Sequence, residues 1–174
     1  MLEYIVGRRL PRRLRTCYKR FTYGKGSIVM RIGYAYVVAD ILHIGHLKHL
    51  QACKGLCDKL IVGVLTDGAT MEKKPKPVIS FGERLEIIKN IKFVDAAIKQ
   101  ETYSPIDNLL RLRPDIHFES TSHAPEDIAK TESVMGQIGG RVIVMPYFAG
   151  QSSTDIKEKI VKVFRQGGDL NEKQ

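Results

Sequence analysis

The chain has 174 residues, of which 43% are apolar and 27% charged, the make-up of one folded domain that buries about 70% of the surface its unfolded form exposes. That composition excludes collagenous, disordered and disulfide-scaffold classes, and no apolar run approaches the roughly 18 to 20 residues of a spanning helix or a secretory h-region. A cytoplasmic location is expected. The formal charge of +9 is uneven: through Lys25 eight basic side chains face Glu3 alone, which is +7 and leaves +2 for the other 149 residues.

Residues 1–27 therefore read as a basic arm, and its charge gives no argument for nucleic-acid binding by the rest of the chain. Contact with nucleic acid or an anionic membrane, a transit segment, a solvated extension and an over-long start all remain open for it. The domain proper is expected over 28–166, with a tail at 167–174. A mostly apolar run from Ile28 to Val38, broken by Arg31, predicts the first strand. A helical pattern follows from His46 to Leu56, then a second strand, Lys59 to Leu65. Phe81 to Ile91 predicts a helix whose start carries the S-x-x-E form of a capping box, Ser80 to Glu83. Val94 to Ile98 is strand-like, Pro105 to Leu112 helical with Pro at its first turn, and Asp115 to Phe118 strand-like again. Glu126 to Ile138 predicts a helix closed by Gly139-Gly140. Arg141 to Met145 predicts the fifth strand, and Ser152-Ser153-Thr154-Asp155 opens a last helix running to about Phe164. The cysteines, Cys17, Cys53 and Cys57, form no C-x-x-C pair and read as small buried residues in a reducing compartment.

Strands that are apolar throughout, alternating with helices, predict an α/β fold: a doubly wound, Rossmann-like, five-stranded parallel sheet with helices on both faces. In such sheets ligands bind at the carboxyl ends of the strands, where the winding reverses. The loop after the first strand holds Asp40-Ile41-Leu42-His43-Ile44-Gly45-His46. A helix beginning there offers unpaired N–H groups and the positive end of a dipole, Gly45 allows close backbone approach, and His43 and His46 can both donate to the same phosphate oxygens. A zinc site lacks further ligands at a recognisable spacing. Ser152 to Thr154 bring hydroxyls to a second helix start, where they cap the helix or bind an anion.

The H-x-G-H motif and the later S-S-T resemble the cytidylyltransferase-type nucleotidyltransferases of the HxGH superfamily. The resemblance runs over about residues 28–162 through V-A-D-I-L-H-I-G-H, L-I-V-G-V-L-T-D, K-K-P-K-P-V-I-S-F-G-E-R, V-D-A-A-I-K-Q-E-T, R-P-D and P-Y-F-A-G-Q-S-S-T-D-I-K. In detail it is nearest the branch serving phosphonate and phosphonopyruvate pathways. The resemblance implies transfer of CMP from CTP to a small phosphate- or phosphonate-bearing acceptor, release of pyrophosphate, Mg²⁺ accompanying the triphosphate, and a homodimer. It assigns His43, His46, Lys74 and Arg84 to catalysis, with the histidines on the α-phosphate and Lys74 and Arg84 clamping phosphates. It assigns Asp40, Gly45, Gly150, Ser152, Ser153 and Thr154 to the nucleotide, and it implies no protein-bound metal. Of Lys73, Lys74 and Lys76, one is expected in the site.

The chain departs from that pattern where the acceptor is expected. An acidic turn after the fourth strand is replaced by Glu119, Ser120, Thr121, Ser122 and His123, the residue before S-S-T is Gln151, and the entry to the first loop is Val37-Val38-Ala39. These acceptor-side positions predict an acceptor without a cationic group, since hydroxyls cannot attract an amine as paired carboxylates do. Two other classes stay open: an ATP-using adenylyltransferase, similar to FAD-synthetase or pantetheine-phosphate enzymes, and a nucleotide-binding protein that has lost catalysis. A class I aminoacyl-tRNA synthetase is disfavoured by length and by the missing K-M-S-K-S-like loop.

Overall fold

The computed structural model describes residues 21–23, 26–28 and 30–171, with side chains over 30–165. Most of the basic arm, with Cys17, lies outside the described residues. Two short strands, β1 (Phe21–Tyr23) and β2 (Gly26–Ile28), pair antiparallel as a hairpin. The main sheet follows as β3 (Ile32–Val37), α1 (Ile44–Lys54), β4 (Lys59–Leu65), α2 (Asp67–Met71), α3 (Phe81–Lys89), β5 (Ala96–Gln100), α4 (Ile106–Leu112), β6 (Ile116–Ser120), α5 (Pro125–Gln137), β7 (Arg141–Met145) and α6 (Ser153–Asn171). The five strands lie in the order β5-β4-β3-β6-β7, all parallel, which is the doubly wound sheet expected.

Most elements fall within two residues of the sequence reading, β5 and β6 lying one or two residues later than expected, and two boundaries shift further. The first sheet strand begins at Ile32 rather than Ile28, because Gly26–Ile28 pair with β1 and the Arg31 N–H is taken by the Asp58 carboxylate at 2.6 Å. The last helix runs to Asn171, past Phe164 and through most of the presumed tail. The capping box at Ser80 is present, with the Glu83 carboxylate accepting the Ser80 N–H at 3.2 Å. Gly139, at φ +79°, closes α5 in a conformation that costs other residues steric strain.

Alternation along the strands separates two cores. Ala35, Val37, Val62, Val64, Ile116 and Phe118 pack with Leu50 and Cys53 of α1 and Ile88 of α3. On the opposite face Tyr34 packs with Leu109 of α4 and Met135 of α5. Each fully buried side chain of this size contributes about 1.5–3 kcal/mol. Tyr34 is held at its tip, donating to Gln100 Oε1 at 2.6 Å and accepting from Asn108 Nδ2 at 2.7 Å. Only glycine fits beside it: a Cβ on Gly63 would stand 2.0 Å from the Tyr34 hydroxyl.

One feature of the register prepares the site. β3 pairs with β4 along its whole length but with β6 only at Gly33↔Ile116 and Tyr34↔His117. Beyond that point the carboxyl ends of β3 and β6 part. The crevice between them is the reversal point of the winding, and a cavity of about 590 Å³ opens there.

Candidate active site

The loop from β3 to α1 is bent into shape by two left-handed residues, Ala39 at φ 59° and Ile41 at φ 49°, on either side of Asp40. For side chains with a Cβ, and above all for a β-branched one, this conformation is strained by about 1–2 kcal/mol each. Asp40 holds the bend. Its Oδ1 accepts the N–H groups of Val78 and Ile79, both at 3.0 Å, its Oδ2 pairs with Lys157 at 2.7 Å, and its carbonyl accepts the Ser153 hydroxyl. Burial works against the charge, but Lys157 and the two N–H groups outweigh it and hold the carboxyl below its ordinary range. Asp40 thus lines the cavity with both carboxylate oxygens already engaged, tying three segments together.

At the start of α1 the two predicted histidines cap the helix. His43 Nδ1 accepts the Gly45 N–H at 3.1 Å, and His46 Nδ1 accepts the His43 N–H at 3.4 Å. A ring nitrogen that accepts carries no proton, so the hydrogen-bond network assigns the proton of each neutral imidazole to Nε2. Burial lowers the pKa of His43, and lowers that of His46 to about 4 with help from His43, His49 and Lys74. Near neutral pH the two rings, 4.1 Å apart, are uncharged N–H donors lining one cavity. Gly45 makes room for them: a Cβ there would stand 2.8 Å from the His43 ring and 3.1 Å from Phe148.

Ser152, Ser153 and Thr154 all line the cavity. Ser152 is the ordinary cap of α6, its hydroxyl accepting the Asp155 N–H at 3.1 Å while the Asp155 carboxylate accepts the Ser152 N–H at 2.9 Å. Ser153 fastens α6 to Asp40. Gly150 stays outside the lining, beneath Phe148, where a Cβ would meet the ring at 2.8 Å. Of the three lysines after α2, Lys74 lines the cavity, whereas Lys73 turns to Asp127 at 2.5 Å and lies 4.9 Å from the centre of the Tyr103 ring.

Arg84 departs from the expected phosphate clamp. It is fully buried and outside the lining, and its guanidinium donates to the carbonyls of Ile79, Val38 and Leu65 and pairs with Asp67 at 2.6 Å. The fork that would suit a phosphate instead bonds the carboxyl ends of β3 and β4 to α2. It shapes the cavity from behind.

The acceptor side is likewise split. Ser120, Ser122 and His123 line the cavity, with Ser120 and Ser122 hydroxyls 2.9 Å apart, while Thr121 binds the Tyr147 N–H at 2.9 Å outside it. Glu119 is 1% exposed and does not reach the cavity. Its Oε1 meets His117 Nε2 at 2.8 Å, and its Oε2 meets His123 Nδ1 and accepts the Tyr36 hydroxyl at 3.3 Å. Burial alone would raise its pKa; His117 and His123 override this and bring it to about 2. The chain therefore keeps one carboxylate after the fourth strand, but spends it inward.

Sequence reasoning missed Tyr36, His49, His117 and Lys157. Period-two spacing placed Tyr34 and Tyr36 on one face of β3 and His117 and Glu119 on one face of β6, and the register then brings these faces together. All five histidines of the chain gather at this cavity or directly behind it. Among the described residues no three side chains are grouped to hold a metal ion, and no helix is long and apolar enough to cross a membrane.

Comparison with known proteins agrees with the fold and sharpens the family. Residues 36–159 match the cytidylyltransferase-like family. The chain is 32% identical over 130 residues to the bifunctional protein HldE of Syntrophotalea carbinolica, covering 74% of this chain and 26% of that protein. It is 34% identical over 125 residues to HldE of Trichlorobacter lovleyi, covering 71% and 25%. The chain thus spans about a quarter of the length of these curated relatives. Among solved structures it superposes on a lipopolysaccharide core biosynthesis protein of Thermoplasma volcanium with a TM-score of 0.60 and 28% identity, covering 68% of this chain and 97% of that one. A protein of Archaeoglobus fulgidus shares the fold at TM-score 0.55 and 17% identity, covering 71% and 94%. These relatives are HldE and lipopolysaccharide core proteins rather than the phosphonate branch. The chain belongs to the cytidylyltransferase-like family.

Proposed function

We propose that this chain, as a nucleotidyltransferase of that family, transfers a nucleoside monophosphate from a nucleoside triphosphate to a small phosphate-bearing acceptor, releasing pyrophosphate. The observation that carries the reading is the pair of imidazoles at the start of α1, each with Nδ1 engaged by a backbone N–H and both lining one cavity at the reversal point of the sheet, which leaves Nε2–H of each ring as the donor to a ligand. An acceptor phosphate oxygen attacks the α-phosphorus, the bond from that phosphorus to the bridging oxygen breaks, and pyrophosphate leaves. Charge builds on the α-phosphoryl oxygens, where preorganised donors act most strongly. His43 and His46 supply those donors, Lys74 supplies a mobile positive charge, and the start of α6 at Ser152–Thr154 receives the pyrophosphate. Arg84 and Asp40 position the loops that hold these groups.

Among the described residues no metal cage forms, since Asp40 is the one carboxylate of them that lines the cavity and both its oxygens are engaged. Mg²⁺ is proposed to enter with the triphosphate, and no step above depends on it. The family's description points to CTP. That expectation leaned on the phosphonate branch, so ATP stands beside it in the assay. An acceptor without a cationic group remains the proposal, and likeness to a lipopolysaccharide core protein adds sugar phosphates to the phosphomonoesters and phosphonates. A homodimer is proposed as well, with the exposed Ile160, Val161, Val163 and Phe164 of α6 as the surface to examine. The test is pyrophosphate release with CTP and with ATP over that acceptor panel. Nucleotide binding without release for any acceptor would favour a protein that has lost catalysis.

A further inference from the structure

His123 stands at the cavity opposite the phosphate donors, and its surroundings differ from theirs in one respect. At His43 and His46 a backbone N–H points at Nδ1; at His123 the nearest neighbour of Nδ1 is the Glu119 carboxylate. A carboxylate can only accept, so here Nδ1 must carry the proton. The Ser120 N–H also approaches that nitrogen, at 3.4 Å as at His46, but here the much nearer carboxylate competes with it and prevails, and the Tyr36 hydroxyl, 3.3 Å from both, can give its proton to Glu119 Oε2. Behind Glu119, His117 bridges its Oε1 and the Tyr34 carbonyl, so the carboxylate is fixed from both sides. The Tyr36 ring, 5.3 Å from the His123 ring, holds the imidazole in place.

In the neutral ring this leaves Nε2 as the acceptor nitrogen of a side chain that lines the cavity together with Ser120 and Ser122. We infer that His123 is a specificity-determining residue whose Nε2, in the tautomer fixed by Glu119, accepts a hydrogen bond from a hydroxyl group of the acceptor. The inference rests on the nucleotidyl-transfer reading for the word acceptor, but the tautomer does not. A site built to accept from a hydroxyl discriminates against the analogue lacking it, because a lone pair covered by the bound acceptor is then left unpaired.

Two measurements test this. In ¹⁵N-histidine-labelled protein at pH 8, the ring-nitrogen shifts should show Nδ1–H for His123 and Nε2–H for His43 and His46, with signals assigned through single His→Gln variants. A proton on His123 Nε2 overturns the inference. Glu119→Gln keeps the shape but lets an amide N–H face Nδ1, so the His123 proton should move to Nε2; an unmoved proton also counts against the inference. Pyrophosphate release is then compared for sugar 1-phosphates and their singly deoxygenated analogues. The wild-type protein should prefer one hydroxylated partner by about 10- to 100-fold in kcat/KM. His123→Phe, which keeps the ring contact with Tyr36, should abolish that preference while leaving the nucleotide KM unchanged. A preference that survives in the variant, or use of hydroxyl-free phosphates alone, overturns the role of His123 and leaves nucleotidyl transfer standing. Absence of turnover with every acceptor overturns nucleotidyl transfer, and with it the acceptor's hydroxyl, whereas the tautomers stand or fall by the ¹⁵N shifts.

Discussion

His46→Asn separates the chemistry of the phosphate site from the stability of the helix that bears it. His46 does two jobs: Nδ1 accepts the His43 N–H at the start of α1, and the ring lines the cavity with Nε2–H as its remaining donor. Asparagine retains an oxygen acceptor near the position of Nδ1, so the helix start keeps its partner, but it cannot reach where Nε2 stood. The retained cap preserves about 1 kcal/mol, and lost ring packing costs about 1 kcal/mol, which for a domain of this size lowers Tm by about 2–4 °C. A missing electrostatic donor at a reacting phosphoryl group costs about 2.7–4 kcal/mol of barrier, a fall in kcat of about 100- to 1,000-fold. The assay is steady-state pyrophosphate release beside a thermal melt. Turnover within a few-fold of wild type would remove His46 from the mechanism, and a large loss of Tm with proportionate loss of activity would show that its role is structural. The same variant carries a pH signature. A histidine held at about 4 when folded and near 6.5 when unfolded contributes stability in full above pH 6.5 and loses it as pH falls toward 4, because the unfolded chain takes up the proton first. Wild-type Tm should therefore drop between pH 7 and pH 5, and His46→Asn should flatten that slope.

Arg84→Lys should lower stability by about 3–5 kcal/mol, read as a urea midpoint, since a single ammonium cannot serve three carbonyls and Asp67 at once; a stable variant with only kcat reduced would restore Arg84 to the phosphates. Lys74→Ala should raise the nucleotide KM by about 10-fold with Tm unchanged, whereas Lys73→Ala, which loses an exposed pair with Asp127, should alter either quantity little, within about 1 kcal/mol. Asp40→Asn should lower both Tm and nucleotide affinity, by about 1–3 kcal/mol in stability, because it frees Lys157 and loosens a loop held at two left-handed residues. Between 2-hydroxyethylphosphonate and 2-aminoethylphosphonate, the amine should be turned over no better than the alcohol; a strong preference for it would contradict an acceptor pocket lined by Ser120, Ser122 and His123.

How much of this could be read from the sequence depends on whether local pattern or distant pairing decides each feature. β4 was legible to the residue because a buried parallel strand is a nearly continuous apolar run, and β7, an edge strand with only Met145 buried, because its run is bounded by Gly139-Gly140 and Pro146. The start of β3 was not, since Ile28 to Val38 is one apolar run until β2 finds its hairpin partner. The five residues of α2 are too few for a helical period, and α6 continues beyond Phe164 through the polar and glycine stretch Arg165 to Asp169, which carries no helical signal. In the site, the pairing of H-x-G-H with a helix start was visible, and so was the arrival of S-S-T beside it. Arg84, Asp40 and Glu119 were recognised as groups suited to phosphate or substrate. Spacing could not reveal that each is turned to other protein groups: Arg84 meets Asp67 from 17 residues away and Asp40 meets Ser153 from 113, while Glu119, whose histidine partners are near in sequence, is buried by the packing of β6 against β3.

The partner of Nδ1 is therefore where chemistry enters this site. His43, His46 and His123 are the same side chain, yet a backbone N–H at the first two makes Nε2 a donor and a carboxylate at the third makes it an acceptor. Donors are needed where negative charge grows on phosphoryl oxygens; an acceptor is needed where a neutral hydroxyl is to be told from hydrogen. The doubly wound sheet can meet both demands at one crevice, because the helix that follows β3 brings two capping imidazoles to the cavity and the face of β6 that carries His117 and Glu119 sets a buried carboxylate behind His123. Glu119 can serve in the proposed way only because it is withdrawn from the cavity: exposed, it would repel the phosphates that His43 and His46 are proposed to bind, and buried, it can act on an acceptor solely through the ring it orients.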